Sequence, residues 1–323
     1  MKLPQVLVSR QLPVVVTAVI LVLLYVAAGL LYDGFFSPRV LTNLLAYNAF
    51  LGIAALGMTL VIFTGGIDLS VGAVIGFSAV LVSSLITNHN WPPLAAWSAG
   101  IGAGTILGLT MGWLIEHFKL PAFLVTLAGM FFARGLAFQV TTESIGIQHS
   151  FYNTLSEIYI PLGEARLTVP ALTLIGMALA LYGLAHHTRF GRNLLAIGGN
   201  AQSATLMGLP VRNATIAVYG LNGFCAAVAG IVASLYTGSG NPSMGIGLEL
   251  DAIAVVVIGG TLLTGGRGHV AGSVLGLLIF GVIQTAILFD GRLSSWWMRI
   301  VVGLLLLAFI LLQRLLLSRP SKP

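Results

Sequence analysis

Apolar residues run unbroken from Leu12 to Tyr32, with Arg10 before the run and Asp33 after it. At about 1.5 Å of rise per residue, a helix of that length reaches across a hydrocarbon core of roughly 30 Å. The run is too long for a signal-peptide core, and Asp33-Gly34-Phe35-Phe36 is a poor cleavage site, so it reads as a spanning anchor. The same alternation of apolar stretch and short polar break predicts helices near 42–63, 70–87, 94–115, 120–140, 169–185, 214–236, 249–264, 270–289 and 295–314. The expected fold is all-α and polytopic: one transmembrane domain over residues 1–323 with about ten spanning helices, or eight plus interfacial or re-entrant segments.

Two connections interrupt the apolar pattern. Residues 186–213 hold Arg189, Arg192 and Arg212 around a segment with the signals of a separate short helix. Asn200 is its N-cap, Ala201 to Met207 its body, Gly208 its left-handed stop, and Pro210 lies just beyond. A helix shorter than about 12 residues is marginal in water, so this one needs a surface to lie on, and it is a candidate docking element. The other connection, 141–168, carries Glu143, Glu157 and Glu164 against the single basic Arg166, and is expected to form a short external helix or a rim facing a partner.

The chain also repeats itself. VIFTGGIDLSVGAVIG at 61–76 aligns without gaps to TLLTGGRGHVAGSVLG at 261–276, matching Thr64 with Thr264, Gly65 with Gly265 and Gly66 with Gly266. Two related halves with glycine-interrupted helices are the pattern found where broken helices line a transport path, and these six residues together with Asp68 are the candidates for it.

Composition agrees with the hydrophobic pattern: 57% of residues are hydrophobic and 7% charged, 40 are glycine, and the mean hydropathy is +1.00. A water-soluble globule is excluded. The net charge of +6 does not point to nucleic acid, because the basic residues cluster at the ends of apolar stretches, where they set orientation. With both termini in the cytoplasm, the inner segments hold Lys2, Arg10, Lys119, Arg189, Arg192, Arg212, Arg267, Arg314, Arg319 and Lys322. The outer ones hold only Arg39, Arg166 and Arg292, while Arg134 and Arg299 fall within spans. This bias places the 186–213 loop in the cytoplasm and 141–168 outside.

Candidate chemistry is sparse. Asp68 sits at the first glycine break, as a functional charge in the membrane or as the cap of a helix beginning at Leu69 or Ser70. Glu249 and Asp251 open a span, where helix-dipole complementarity accounts for them. Arg134 is expected to face the protein interior or to snorkel outward. The six histidines form no metal-binding pattern, the one cysteine, Cys225, allows no internal disulfide, and there is neither a P-loop nor a nucleophile elbow. No catalytic residue, metal or cofactor is expected, and any ATP chemistry must come from a partner. Trp91, Trp97, Trp296 and Trp297 fall near outer ends, as an aromatic belt or as sugar-stacking rings.

GGIDLSVGA (65–73), RFGRNLLAIGGNAQSATLMGLPV (189–211) and ELDAIAVVVIGGTLLTGGRGHVAGSVLG (249–276) resemble the ribose-type branch of bacterial ABC importer permeases over essentially the whole chain. LPAFLVTLAGMFFARGLAF (120–138), TTESIGIQH (141–149) and FDGRLSSWWMRI (289–300) look closer still to the permease subunit of a galactofuranose importer. The resemblance implies an inner-membrane protein that works with a second, related permease, a cytoplasmic ATPase and a periplasmic sugar-binding protein. It also implies that Gly199, Asn200, Ala201, Ala204, Met207 and Gly208 belong to the coupling helix that enters the ATPase. The other function classes are an ion-coupled secondary transporter, for which acids within the spans are scarce, and a purely structural membrane subunit, which needs no paired helix breaks.

Overall fold

The computed structural model describes residues 5–293 and 296–317; Lys2, Arg319 and Lys322, counted above on the inner side, lie outside the described residues. The first part of the chain forms α1 (Gln5–Leu31), α2 (Pro38–Tyr47), α3 (Ala49–Phe63), α4 (Val71–Thr87), α5 (Pro93–Phe118) and α6 (Ala122–Val140). A small extramembrane region follows, with β1 (Ile145–Gly146), α7 (Ser150–Glu157), β2 (Tyr159–Leu162) and β3 (Ala165–Thr168). The rest comprises α8 (Val169–His187), α9 (Arg189–Gly199), α10 (Ala201–Leu206), α11 (Val211–Thr237), β4 (Ser239–Gly240), α12 (Leu248–Ile258), α13 (Val270–Asp290) and α14 (Trp296–Leu317).

Helix α3 is the hub. Its residues from Leu51 to Phe63 are all buried, and α8, α9, α11, α12 and α13 surround it. Helix α11 lies against α5 with almost nothing between the two backbones. A Cβ on Gly108 would sit 2.2 Å from the carbonyl oxygen of Tyr219, and one on Gly223 would sit 2.2 Å from that of Gly104. Small residues four apart along α5 allow this approach, the usual route to tight helix packing in lipid.

By length and apolarity, six described helices can cross a membrane, or seven if the bent pair α2–α3 is one span. The expected count of about ten is not reached, because several apolar stretches are broken. The stretch read as one helix over 42–63 bends by 60° at Asn48, whose Nδ2 donates to the carbonyl of Leu44 at 3.0 Å and competes with the helical ladder. The stretch read as 249–264 stops at Ile258, before Gly259-Gly260, and α12 has only 11 residues. Helix α4, with 17 residues, also falls short of the length criterion.

The 141–168 connection contains the expected short helix, α7, and in addition an antiparallel hairpin of β2 with β3. Hydrophobic periodicity did not reveal that hairpin; its signal is Gly163, which turns the chain with φ +62°. Arg39 and Glu164, both assigned to the outer side, meet there: Arg39 Nε donates to the Glu164 carbonyl at 3.0 Å. Trp97 is held by a specific partner, its Nε1 donating to Tyr152 Oη on α7 at 2.8 Å. Trp296 remains 70% exposed.

Candidate functional site

The 186–213 segment holds two short helices where the sequence suggested one. Helix α9, of 11 residues, was missed; its signal was an amphipathic pattern, which buries Leu194 and Ile197. Thr188 Oγ1 accepts the Gly191 N–H at its start. Helix α10 is capped as expected, with Asn200 Oδ1 accepting the Ser203 N–H at 2.7 Å and Gly208 left-handed at φ +76°. The body ends one residue early, at Leu206, and Met207 is the C-cap. Ala204 is completely buried against its own chain, whereas Leu206 is 84% and Met207 67% exposed. Of the residues singled out in this helix, Ala204 therefore seats it and Met207 points away; Gly199 and Ala201 are exposed beside them.

The two Thr-Gly-Gly breaks meet directly beneath this segment. Gly65 and Gly265 occupy equivalent positions of the repeat and share the same left-handed conformation, φ +79° and +80°. The Gly266 N–H donates to the carbonyl of Phe63 at 3.0 Å, tying the second break to the first. Gly198, at the end of α9, closes the contact: a Cβ there would lie 2.0 Å from the Phe63 carbonyl oxygen and 2.5 Å from the Gly266 nitrogen. Thr64 and Thr264 flank the junction, and the Thr64 hydroxyl bonds back to the Val61 carbonyl. Nearby, His186 Nε2 accepts the Val270 N–H, and His269 Nδ1 caps α13 by accepting the Ala271 N–H, each at 3.2 Å. The two imidazoles stack with centroids 3.9 Å apart. Burial holds the His269 pKa below the ordinary histidine value.

Asp68 is 1% exposed and braces the turn before α4 rather than capping the helix, which starts at Val71 with Ser70 as N-cap and no side-chain cap bond. Its Oδ1 accepts from the Ser70 N–H at 2.8 Å and the Ser70 hydroxyl at 2.6 Å, just ahead of α4. Its Oδ2 accepts from Asn222 Nδ2 on α11 at 2.8 Å, a partner the sequence did not reveal, although an Asn in an apolar run was the available signal. Tyr219 Oη and Asn222 Oδ1, both buried, have no hydrogen-bond partner among the described residues.

After α11 the chain does not pass straight into another full helix. Residues 241–247 run back alongside α4, and α12 starts only at Leu248. Arg134 fixes this re-entering strand. Its guanidinium Nη1 donates to the carbonyls of Pro242 and Met244, the latter at 2.8 Å, so it turns inward as one of its two expected placements required. Glu249 and Asp251 occupy the first turn of α12, where the exposed helix amides favour negative charge.

Among the described residues, no cluster of three or more His, Cys, Asp or Glu side chains is placed to hold a metal. The arrangement is a short helix seated on its own chain beside a joint of two helix breaks. Residues 40–310 match the family model described as "Branched-chain amino acid transport system / permease component". The chain is 50% identical over 310 residues to the inner membrane ABC transporter permease protein YjfF of Escherichia coli K12, covering 95% of this chain and 93% of that one. It is 37% identical over 316 residues to the fructose import permease protein FruG of Bifidobacterium longum, covering 96% and 92%. It is also 37% identical over 298 residues to the ribose import permease protein RbsC of Bacillus subtilis, covering 91% and 90%. No solved structure matches. A multi-pass helical chain that aligns nearly end to end with such proteins belongs to the permease family of ABC transporters.

Proposed function

We propose that this protein is a translocation subunit of an ATP-driven, binding-protein-dependent sugar importer in a bacterial inner membrane, and that its cargo is galactofuranose or a related monosaccharide. ATP is hydrolysed by a separate cytoplasmic subunit, and a periplasmic sugar-binding protein delivers the cargo. A second permease, related but different, completes the pore. Both termini and the 186–213 loop face the cytoplasm, where α10 engages the ATPase through Leu206 and Met207.

The observation that carries the reading is the seating of α10: a helix too short to stand alone packs on α9, whose Gly198 closes the junction of the two Thr-Gly-Gly breaks, and offers large apolar side chains outward. Movement of the ATPase against α10 thereby reaches Gly65, Gly66, Gly265 and Gly266. The decisive experiment reconstitutes the permease pair with the ATPase and binding protein in liposomes, then measures ATP hydrolysis and uptake of radiolabelled galactofuranose. Sugar-dependent stimulation and uptake are expected. Uptake of ribose or fructose in its place moves the cargo to those sugars, and stimulation by none of them removes the sugar reading. Reporter fusions near Gly191 and after Pro320 test the orientation; activity on the periplasmic side at either point overturns it.

A further inference from the structure

Four charged side chains on three helices converge beside the 241–247 loop, Arg299 exposed and Arg134, Glu249 and Asp251 half-buried. Arg134 comes from α6, Glu249 and Asp251 from α12, and Arg299 from α14; a Cβ on Gly72 would sit 2.3 Å from Glu249 Oε2, one on Gly76, a turn further along α4, 2.6 Å from Arg134 Nη1, and one on Gly247, just ahead of α12, 3.8 Å from the Arg299 guanidinium. Among the described residues, no ion pair within 4 Å involves Glu249, Asp251, Arg134 or Arg299. Leu250, between the two acids, is 62% exposed, as is Ile246 in the preceding loop. Trp296 is exposed beside them, with the Arg299 guanidinium 5.3 Å from its ring centre.

Arg134, Glu249 and Asp251 lie deep. Helix α12 rises about 16 Å from the break junction to its first residue, and Arg134 is about 18 Å along α6 from Ala122. Both distances reach the middle of a hydrocarbon core of roughly 30 Å. Charged groups at that depth do not face lipid; they face protein or water. The contrast with α8 is sharp. That helix carries no Asp, Glu, Lys or Arg, and its exposed Leu179 (68%) is the side chain of a lipid-facing surface.

We infer that the face formed by α12, the 241–247 loop and the adjoining parts of α6 and α14 lines the aqueous sugar path, with Arg134, Glu249, Asp251 and Arg299 hydrogen-bonding the passing hydroxyls. The inference rests on the sugar-importer reading and assigns its path to particular residues. Two guanidiniums donate and two carboxylates accept, and their charges balance. That suits a neutral polyol, whose every hydroxyl both donates and accepts, better than a phosphate or an amine. The Trp296 ring adds an apolar plane of the kind a sugar ring stacks on.

The test uses the complete complex in liposomes, with Cys225→Ala removing the one native thiol. Leu250→Cys and Leu179→Cys, at sites of nearly equal exposure in the single chain, are each treated with a charged, membrane-impermeant methanethiosulfonate. The thiolate displaces sulfinate and forms a mixed disulfide, so reaction requires water at the site. Labelling at Leu250→Cys is expected to be faster on the order of 100-fold, since a thiol in hydrocarbon stays protonated and unreactive. It is also expected to slow when sugar-loaded binding protein and ATP are present. Equal, slow labelling of both sites overturns the inference whatever the cargo proves to be. In the second arm, Asp251→Leu lowers uptake of radiolabelled galactofuranose about tenfold and Asp251→Asn less, at equal amounts of protein in the membrane. Wild-type uptake by Asp251→Leu removes these residues from the path. If the unmodified complex carries no sugar, the importer reading fails, while the labelling contrast still decides whether this face holds water.

Discussion

Asn222 donates from Nδ2 to Oδ2 of Asp68 across 2.8 Å, joining positions 154 apart in the chain. Because Ser70 occupies the other carboxylate oxygen, this bond fixes the entrance of α4 to the middle of α11. Replacing Asn222 by Leu removes the donor and leaves a buried carboxylate oxygen unsatisfied, at a cost of about 1–3 kcal/mol. Thermal unfolding of the detergent-solubilised permease is expected to fall measurably for Asn222→Leu and less for Asn222→Gln, which keeps a donor. Equal melting temperatures for Asn222→Leu and wild type exclude this bond as a tie.

The glycine junction predicts a defect that is steric and local. Leucine at 198 brings its Cβ into the Phe63 carbonyl, and leucine at 266 adds strain at φ +74°. Forced packing of this kind costs about 1–3 kcal/mol or more. Gly198→Leu and Gly266→Leu should each lower transport strongly, while Gly199→Leu, with open space around its Cβ, should not. Gly66→Leu is expected to join the damaging group because its Cβ would meet Tyr219 Oη at 2.4 Å. Uptake assays on the four variants, normalised to membrane expression, decide the matter.

Coupling through α10 separates seating from docking. Asn200→Ala loses a cap worth about 1 kcal/mol and should be tolerated while the helix is held. Ala204→Asp puts a charge where the side chain is fully buried, so it should lower the melting temperature of the permease itself. Leu206→Asp and Met207→Asp should leave that temperature unchanged and abolish ATPase attachment, read by copurification. Retention of the ATPase by both of the last two variants moves docking to another inner loop.

The imidazole cap of α13 makes stability depend on pH. The folded pKa of His269 lies below 6.5, so in mildly acidic solution the unfolded chain takes up this proton more readily than the folded one. Its contribution is intact above pH 6.5 and declines as pH falls toward the lowered folded value. Protonation at Nδ1 also removes the acceptor for the Ala271 N–H, beside the stacked His186 and the ring of Tyr182 on α8. His269→Asn keeps a capping acceptor and should flatten the melting-temperature profile between about pH 7 and 5. An unchanged profile assigns the pH dependence elsewhere.

How much of this was readable in advance varied with the kind of signal. The caps of α10 were legible residue by residue, because Asn200, Gly208 and Pro210 act through local backbone chemistry. The repeat was legible too, and Gly65 and Gly265 adopt matching left-handed conformations, although Gly266 is left-handed and Gly66 is not. Span integrity was not legible: hydropathy integrates over many residues, whereas the interruptions at Asn48 and Gly259 are single-residue backbone events within uniformly apolar sequence. Nor were the partners of Asp68 and Arg134, which lie on α11 and in the 241–247 loop and depend on packing that no local pattern encodes.

The close contact of α5 with α11 limits how this molecule can move. Where Gly108 and Gly223 bring backbone against backbone, no layer of side chains is left for one helix to slide over the other, so the pair behaves as a single stiff beam. Helix α11, with 27 residues, is about 40 Å long. Its first residue follows α10, and its last leads into β4 and the re-entering 241–247 loop. A small tilt imposed at one end is therefore delivered as a larger displacement at the other, by leverage, without any helix along the way having to unwind.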